Sequence, residues 1–346
     1  MAQENAKEFR AGVVFGKFYP LTKGHQYLIE TALSRCDRLT VCVSHRPSET
    51  IPVNVRHGWI AKLYPAANVV TLDNTLPYFP EECATPDEFY RIWERVVVEA
   101  CGCRPDAAFT SEPSYDPYVT RYLRARHVVV DADRNAVPIS ATRVRSSPLD
   151  YWDFLDPVVR SYFVKTVCVY GPESTGKTTL CEQLAAHYST VWQPEFARDF
   201  LGERHCAYED MEPIAEGHLR ERDRLKRKAN RVLFVDTDAL ITRAFSQQYY
   251  GRCPQRVEEI IHLPESQNDF YLFTSIDVPW VADTSRDLGT PALRALMQRK
   301  LLDALIGHGT PHAMVTGSNW RNRFDQAVAA VDRYIFKKPS RRTGSQ

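Results

Sequence analysis

Short apolar runs alternate with helical stretches along most of this chain. Residues 11–15 are apolar, and 25–35 pair Leu28 with Ala32 and Ile29 with Leu33, a helical spacing. Residues 38–44 alternate Leu39, Val41 and Val43, which predicts a strand. Stretches 53–63 and 87–100 read as helices, and 69–72, 107–110 and 127–131 as further strands. The alternation restarts in the second half. There 165–170, 231–236, 269–275 and 313–316 read as strands, and 177–187, 291–306 and 321–335 as helices. Repeated strand–helix units predict parallel sheets covered by helices, an α/β fold in two domains. The domains are expected at 9–150 and 164–336. The junction at 151–163 is rich in aromatics and acids, and the basic tail 337–346 is expected to be disordered.

Two different phosphate loops sit on these two halves. Residues 171–178 read G-P-E-S-T-G-K-T and match G-x-x-x-x-G-K-(S/T). A chance match in a chain of this length is expected at roughly one per cent. Gly171 and Gly176 let the backbone turn its N–H groups, with those of Glu173, Ser174 and Thr175, toward one phosphate. The helix that follows adds its positive end, and Thr179 lies in its first turn. Lys177 reaches the β and γ phosphates, and the Thr178 hydroxyl is a Mg²⁺ ligand. A second metal-linked carboxylate should end a nearby apolar strand. V-L-F-V-D-T-D at 232–238 supplies Asp236, with Asp238 as the candidate to orient or deprotonate an attacking hydroxyl. Taken alone, such an Asp is more often a turn or helix cap.

Residues 279–291, P-W-V-A-D-T-S-R-D-L-G-T-P, suit a lid whose Arg286 stabilises the transferring phosphate. The alternative is a surface loop with a structural Arg–Asp pair. In P-E-F-A-R-D-F at 194–200, Glu195, Arg198 and Asp199 suit the hydroxyls of a sugar, or are charges at a helix start.

Residues 16–25, G-K-F-Y-P-L-T-K-G-H, fit G-x-(F/Y)-x-P-x-(H/T)-x-G-H. Gly16, Lys17, Phe18, Thr22, Gly24 and His25 form a second, distinct triphosphate loop leading into a helix N-terminus. I-S-A-T-R-V-R at 139–145 closes the same half, with Ser140, Thr142 and Arg143 suited to gripping the β and γ phosphates. Such a site needs no protein nucleophile. It aligns an incoming phosphate with the α phosphorus and stabilises the departing pyrophosphate. The predicted fold is therefore a Rossmann-like nucleotidyltransferase followed by a P-loop kinase.

The composition removes several other classes. The chain has 346 residues, 44% hydrophobic and 25% charged, with a formal net charge of +1. No bulk charge calls for nucleic acid or a membrane surface. No apolar stretch approaches the ~18 residues of a membrane span. The polar residues 1–10 do not form a secretory signal. Nine cysteines, several inside apolar runs, read as reduced thiols in a cytoplasmic protein. The C-x-C of Cys101 and Cys103 lacks the second pair that zinc would need. The basic stretch 220–228 contains Glu221 and Asp223 and reads as a solvated helix rather than a nucleic-acid patch.

The quoted motifs, with T-S-E at 110–112, resemble the bifunctional nicotinamide-mononucleotide adenylyltransferase and ribosylnicotinamide kinase of bacterial NAD salvage. The likeness covers roughly residues 9–336. It implies phosphorylation of ribosylnicotinamide by the second domain and adenylyl transfer to the mononucleotide by the first. The small molecules it implies are ATP, ribosylnicotinamide, nicotinamide mononucleotide and NAD, with Mg²⁺ as cofactor. Self-association is the one protein partnership left open. Trp93 and Trp280 are the aromatic candidates to stack on the nicotinamide ring, against a packing role for each. Thr22 stands where many such fusions have His. Some members carry an N-terminal helix-turn-helix. Only about ten residues precede the first strand here, so DNA binding by that module is not expected. Two competing readings are a fused phosphopantetheine adenylyltransferase and dephospho-coenzyme A kinase, and a nucleotide-sensing regulator. E-F-A-R-D-F and P-W-V-A-D-T-S-R argue against the first.

Overall fold

The computed structural model describes residues 7–73, 75–77, 79–279 and 290–338. Two compact units divide between Val159 and Arg160, inside the segment 151–163. Each unit is built on one five-stranded sheet in which every strand pairing is parallel.

The first sheet runs β3-β2-β1-β4-β5. Its strands are β1 Phe9–Gly16, β2 Cys36–Val43, β3 Asn68–Thr71, β4 Ala107–Thr110 and β5 Arg126–Val129. Val13 and Val14, adjacent on β1, are both fully buried, and so is all of β4. Burial on both faces is what a helix-covered parallel sheet requires, and it explains the continuous apolar runs. The helices Lys23–Arg35, Val53–Leu63 and Pro86–Cys101 connect the strands. Val13, Cys42, Val97, Ala108, Val119 and Leu123 belong to the core on one side.

The second sheet runs β10-β9-β6-β8-β7. Here β6 is Lys165–Tyr170, β7 Trp192–Gln193, β8 Val232–Asp236, β9 Phe270–Thr274 and β10 His312–Val315. Every residue of β8 and β9 is buried. The predicted helices appear as Lys177–His187, Pro291–His308 and Trp320–Tyr334, and the 220–228 stretch lies in or just after the helix Met211–Lys226. Two helices, Ala239–Tyr250 and Gln255–His262, were not foreseen. The first buries Ala239, Leu240, Ile241 and Thr242 in succession, so it shows no one-sided apolar stripe to read. The tail beyond residue 338, read as disordered, lies outside the described residues.

In both sheets the order places the first strand of the unit between strands that the chain reaches in opposite directions. Loops at the carboxyl ends of such strands form the crevice where α/β sheets take their ligands. The loop 16–25 leaves β1 and the loop 171–176 leaves β6.

Candidate active sites

In the first unit the chain leaves β1 at Gly16 and turns through Phe18, which has a φ of +47°. Phe18 is almost fully buried and packs edge-on against the His25 ring at 5.2 Å. The Thr22 N–H donates to His25 Nδ1 at 3.1 Å, and the Thr22 hydroxyl lies 3.1 Å from the same nitrogen. His25 therefore reaches back to the helix N-cap as a capping-box residue does. With Nδ1 accepting, the neutral ring carries its proton on Nε2. Burial, reinforced by the nearby Arg134 cation, pushes His25 down to about 4, so the ring is neutral at physiological pH. A Cβ at Gly24 would meet nothing closer than Thr22 Oγ1 at 3.7 Å, which leaves room for a ligand beside the hydroxyl.

Lys17 is anchored twice. Its carbonyl accepts from Arg56 Nη1 at 2.7 Å, and its ammonium pairs with Glu49 at 3.0 Å. Arg56 is only 1% exposed, also donates to the Ser44 carbonyl at 3.3 Å, and pairs with Glu49 at 2.8 Å. Burial alone would raise the Glu49 carboxyl. Bonds from Lys17 and the Arg46 amide, with the Arg56 charge, outweigh it and hold the group below its ordinary value. Neither Glu49 nor Arg56 was singled out from the sequence, because the contact joins segments that no local motif links.

Ser140 caps the short helix Ala141–Ser146, accepting from the Arg143 N–H at 3.2 Å. Arg143 donates to the Tyr151 hydroxyl at 2.9 Å and lies over that ring. Arg145, not Arg143, joins this motif to the first loop. It donates to the Tyr19 carbonyl at 2.7 Å and to Thr142 Oγ1 at 3.5 Å. Trp93 donates its indole N–H to the Pro77 carbonyl at 2.8 Å and is partly buried against the core. In T-S-E, Thr110 bonds His127 at 2.8 Å, and His127 in turn meets Asp116 at 3.2 Å.

In the second unit two glycines are dictated by geometry. Gly171 has a φ of +148°, and a Cβ there would lie 2.5 Å from the Thr274 carbonyl. Gly176 has a φ of +80°, and its Cβ would lie 2.4 Å from the Trp320 ring. Thr175 is spent inside the loop, on the Pro172 carbonyl at 2.8 Å and the Thr274 hydroxyl at 2.7 Å. Buried Arg323 donates to the Thr175 carbonyl at 3.1 Å and to the Gly317 carbonyl at 3.0 Å, bracing the loop from behind. Lys177 folds onto the Pro172 carbonyl at 2.9 Å. The Thr178 hydroxyl donates to Asp236 at 2.5 Å. The other oxygen of Asp236 is buried without a hydrogen-bond partner. Burial raises the Asp236 carboxyl to about 6. Lys177 and the Thr178 bond oppose the rise, and the Glu195 charge adds to it.

The loop run 173–179 lines a cavity of about 400 Å³. Glu195 and Arg198 share its wall, 3.6 Å apart, as do Met211, Ile214, Phe245 and Tyr249. Asp199 is exposed and lies outside the described wall of this cavity.

The reading of Asp238 is corrected. One of its oxygens caps the helix Ala239–Tyr250, accepting from Leu240 N at 3.0 Å and Ile241 N at 3.3 Å. The other accepts from Asn268 at 2.8 Å and the Tyr271 hydroxyl at 2.5 Å. A buried carboxylate so fully engaged is a structural cap, not a free base. Trp280 and Arg286 lie outside the described residues.

Sequence reasoning missed His218, which lines the same cavity. Its Nδ1 accepts from Gln193 at 2.8 Å, and its Nε2 lies 3.3 Å from both the Phe196 N–H and the Thr237 hydroxyl. Burial, with the Arg222 cation adding to it, drives His218 from 6.5 down to about 3. Below pH 6.5 the unfolded chain takes up a proton that the folded chain refuses. Stability is thus full above that pH and falls on acidification, by up to ~1.4 kcal/mol per pH unit. Melting curves between pH 7 and 5 should show the midpoint dropping, and His218→Gln should flatten the drop. An unchanged slope in the variant would acquit His218.

The comparisons with known proteins agree with this geometry. Residues 11–130 match the family model of the citrate lyase ligase C-terminal domain, and residues 166–323 match that of the AAA domain. The trifunctional NAD biosynthesis/regulator protein NadR of Escherichia coli K12 is 32% identical, over 92% of this chain and 82% of that protein. A solved NadR structure in complex with NAD and AMP-PNP covers 99% of this chain and 100% of its own, at 22% identity and a TM-score of 0.77. Another, in complex with NR, covers 98% of this chain and 100% of its own, at 22% identity and a TM-score of 0.78. The structures share the fold, and the curated relative, matched over most of both lengths, settles the kinship: this chain belongs to the NadR family.

Proposed function

We infer that this chain builds NAD from ribosylnicotinamide in two ATP-dependent steps. The observation that carries the reading is that each sheet ends its switch-point strand in its own triphosphate loop, in a chain of the NadR family. In the second unit the riboside's 5′-hydroxyl attacks the γ phosphorus of ATP, giving nicotinamide mononucleotide and ADP. In the first, a phosphate oxygen of the mononucleotide attacks the α phosphorus of a second ATP, giving NAD and pyrophosphate. The relative's name and the NAD, AMP-PNP and NR of the two solved complexes support these substrates.

For phosphoryl transfer, the backbone of 171–176 and Lys177 would hold the phosphates. Lys177 exchanges the Pro172 carbonyl for a phosphate oxygen. The residues present fit Mg²⁺. The partnerless, buried oxygen of Asp236 beside the Thr178 hydroxyl is a hard oxygen pair. Such an ion, held through these two residues, would neutralise charge on the β and γ phosphates. Glu195 and Arg198 would face the ribose, and Phe245 and Tyr249 the pyridine ring. For adenylyl transfer, the His25 Nε2–H, Thr22 and the helix N-terminus would hold the triphosphate, with Ser140, Thr142 and Arg143 near the leaving pyrophosphate. We place the protein in the cytoplasm. Its nine free thiols support this, and no helix among the described residues is long and apolar enough to cross a membrane.

Mass spectrometry of parallel reactions containing ATP, Mg²⁺ and either ribosylnicotinamide or dephospho-coenzyme A tests the reading. The mononucleotide should appear first and NAD second. An untouched riboside alongside phosphorylated dephospho-coenzyme A would replace it with the coenzyme A alternative.

A further inference from the structure

We propose that Glu195 is the catalytic base of the kinase unit, taking the proton of the riboside's 5′-hydroxyl as that oxygen attacks the γ phosphorus. The inference rests on the kinase reading above. It follows from which carboxylates the fold leaves available. Asp238 accepts four hydrogen bonds and is spent as a cap. Asp236 is fully buried, holds Thr178, and is not among the lining residues. The carboxylates on the described cavity wall are Glu173 and Glu195. Glu195 is the one placed at the reacting end. β7 pairs in parallel with β8, Gln193 opposite Val235, so Glu195 leaves the sheet beside the Asp236 end of β8 and lines the cavity with Lys177 and Thr178.

Its position is fixed from below. Glu195 immediately precedes the helix Phe196–Leu201, whose first N–H lies 3.3 Å from the His218 ring. Gln193, fully buried two residues earlier, donates to both the ring and the carbonyl of His218 at 2.8 Å. Arg198, 3.6 Å away, pairs with the carboxylate and directs it.

In the step, the O5′–H bond breaks and its proton passes to the Glu195 carboxylate. The O5′–Pγ bond forms as the bond from Pγ to the β-phosphate oxygen breaks, and ADP leaves with that electron pair. Glu195 returns the proton to solvent when the mononucleotide departs.

The test is Glu195→Gln in the full chain, assayed for both activities. General-base removal should lower kcat for riboside phosphorylation by about 10²- to 10³-fold, with KM for ATP and riboside within about threefold. Glu195→Asp should keep an intermediate rate. Adenylyl transfer to added mononucleotide should be unchanged, which certifies the fold. A near-normal kcat with a raised riboside KM would make Glu195 only a ribose ligand and overturn the proposal. So would full recovery of kcat at high Mg²⁺, or a larger kcat loss in Glu173→Gln. Wild-type protein that phosphorylates no riboside would instead strike the function itself.

Discussion

Lys177→Ala is expected to abolish phosphorylation of ribosylnicotinamide, on the order of 10³-fold in kcat, while adenylyl transfer to supplied mononucleotide continues at its normal rate. In the structure the ammonium spends its hydrogen bond on the Pro172 carbonyl, a protein contact that phosphate displaces. Alanine removes that bond at about 1 kcal/mol, too little to unfold a unit whose loop is also braced by Thr175 and Arg323. The charge that would follow the transferring phosphoryl group is lost altogether. Paired assays on one preparation, ADP release with riboside and pyrophosphate release with mononucleotide, measure the split. Loss of both activities in a folded variant would sink the picture of independent sites.

The converse expectation concerns His25. His25→Ala should lower adenylyl transfer by about 10²- to 10³-fold and leave phosphorylation alone. Because Nδ1 is taken by Thr22, the ring offers Nε2–H, and with a pKa near 4 it offers that proton as a neutral donor. The sign has a visible consequence. The folded pKa lies below the ordinary 6.5, so between pH 8 and 5 the ring does not change charge. The wild-type pH–rate profile of the transferase should therefore show no limb near 6.5 that vanishes in His25→Ala. A limb of that kind would mean a charged imidazole grips the phosphates. The substitution also removes a capping contact, a loss of about 1 kcal/mol, so melting should be followed alongside the rates.

The strands were legible because a helix-covered parallel sheet demands unbroken apolar runs, as in V-C-V-Y of β6 and V-L-F-V of β8. The second phosphate loop was legible because Gly171 and Gly176 have no room for a side chain. What escaped was tertiary. The helix Ala239–Tyr250 is buried along most of its first half, so it shows no one-sided period. Glu49, Arg56, Arg145 and His218 act through partners many residues away, so no local spacing announces them. Asp238 misled for the opposite reason. A capping aspartate and a catalytic one look alike after a strand, and only the Tyr271 and Asn268 contacts tell them apart.

That distinction bears on how inactive variants of this enzyme should be sorted. An Asp238→Asn protein would lose riboside phosphorylation, and a screen scoring turnover alone would file it with chemical lesions. Its fault would lie elsewhere: an amide there brings N–H groups to face the Tyr271 hydroxyl and the Asn268 amide, two donors already aimed at the same oxygen. Calorimetry, not kinetics, is where such an allele would declare itself.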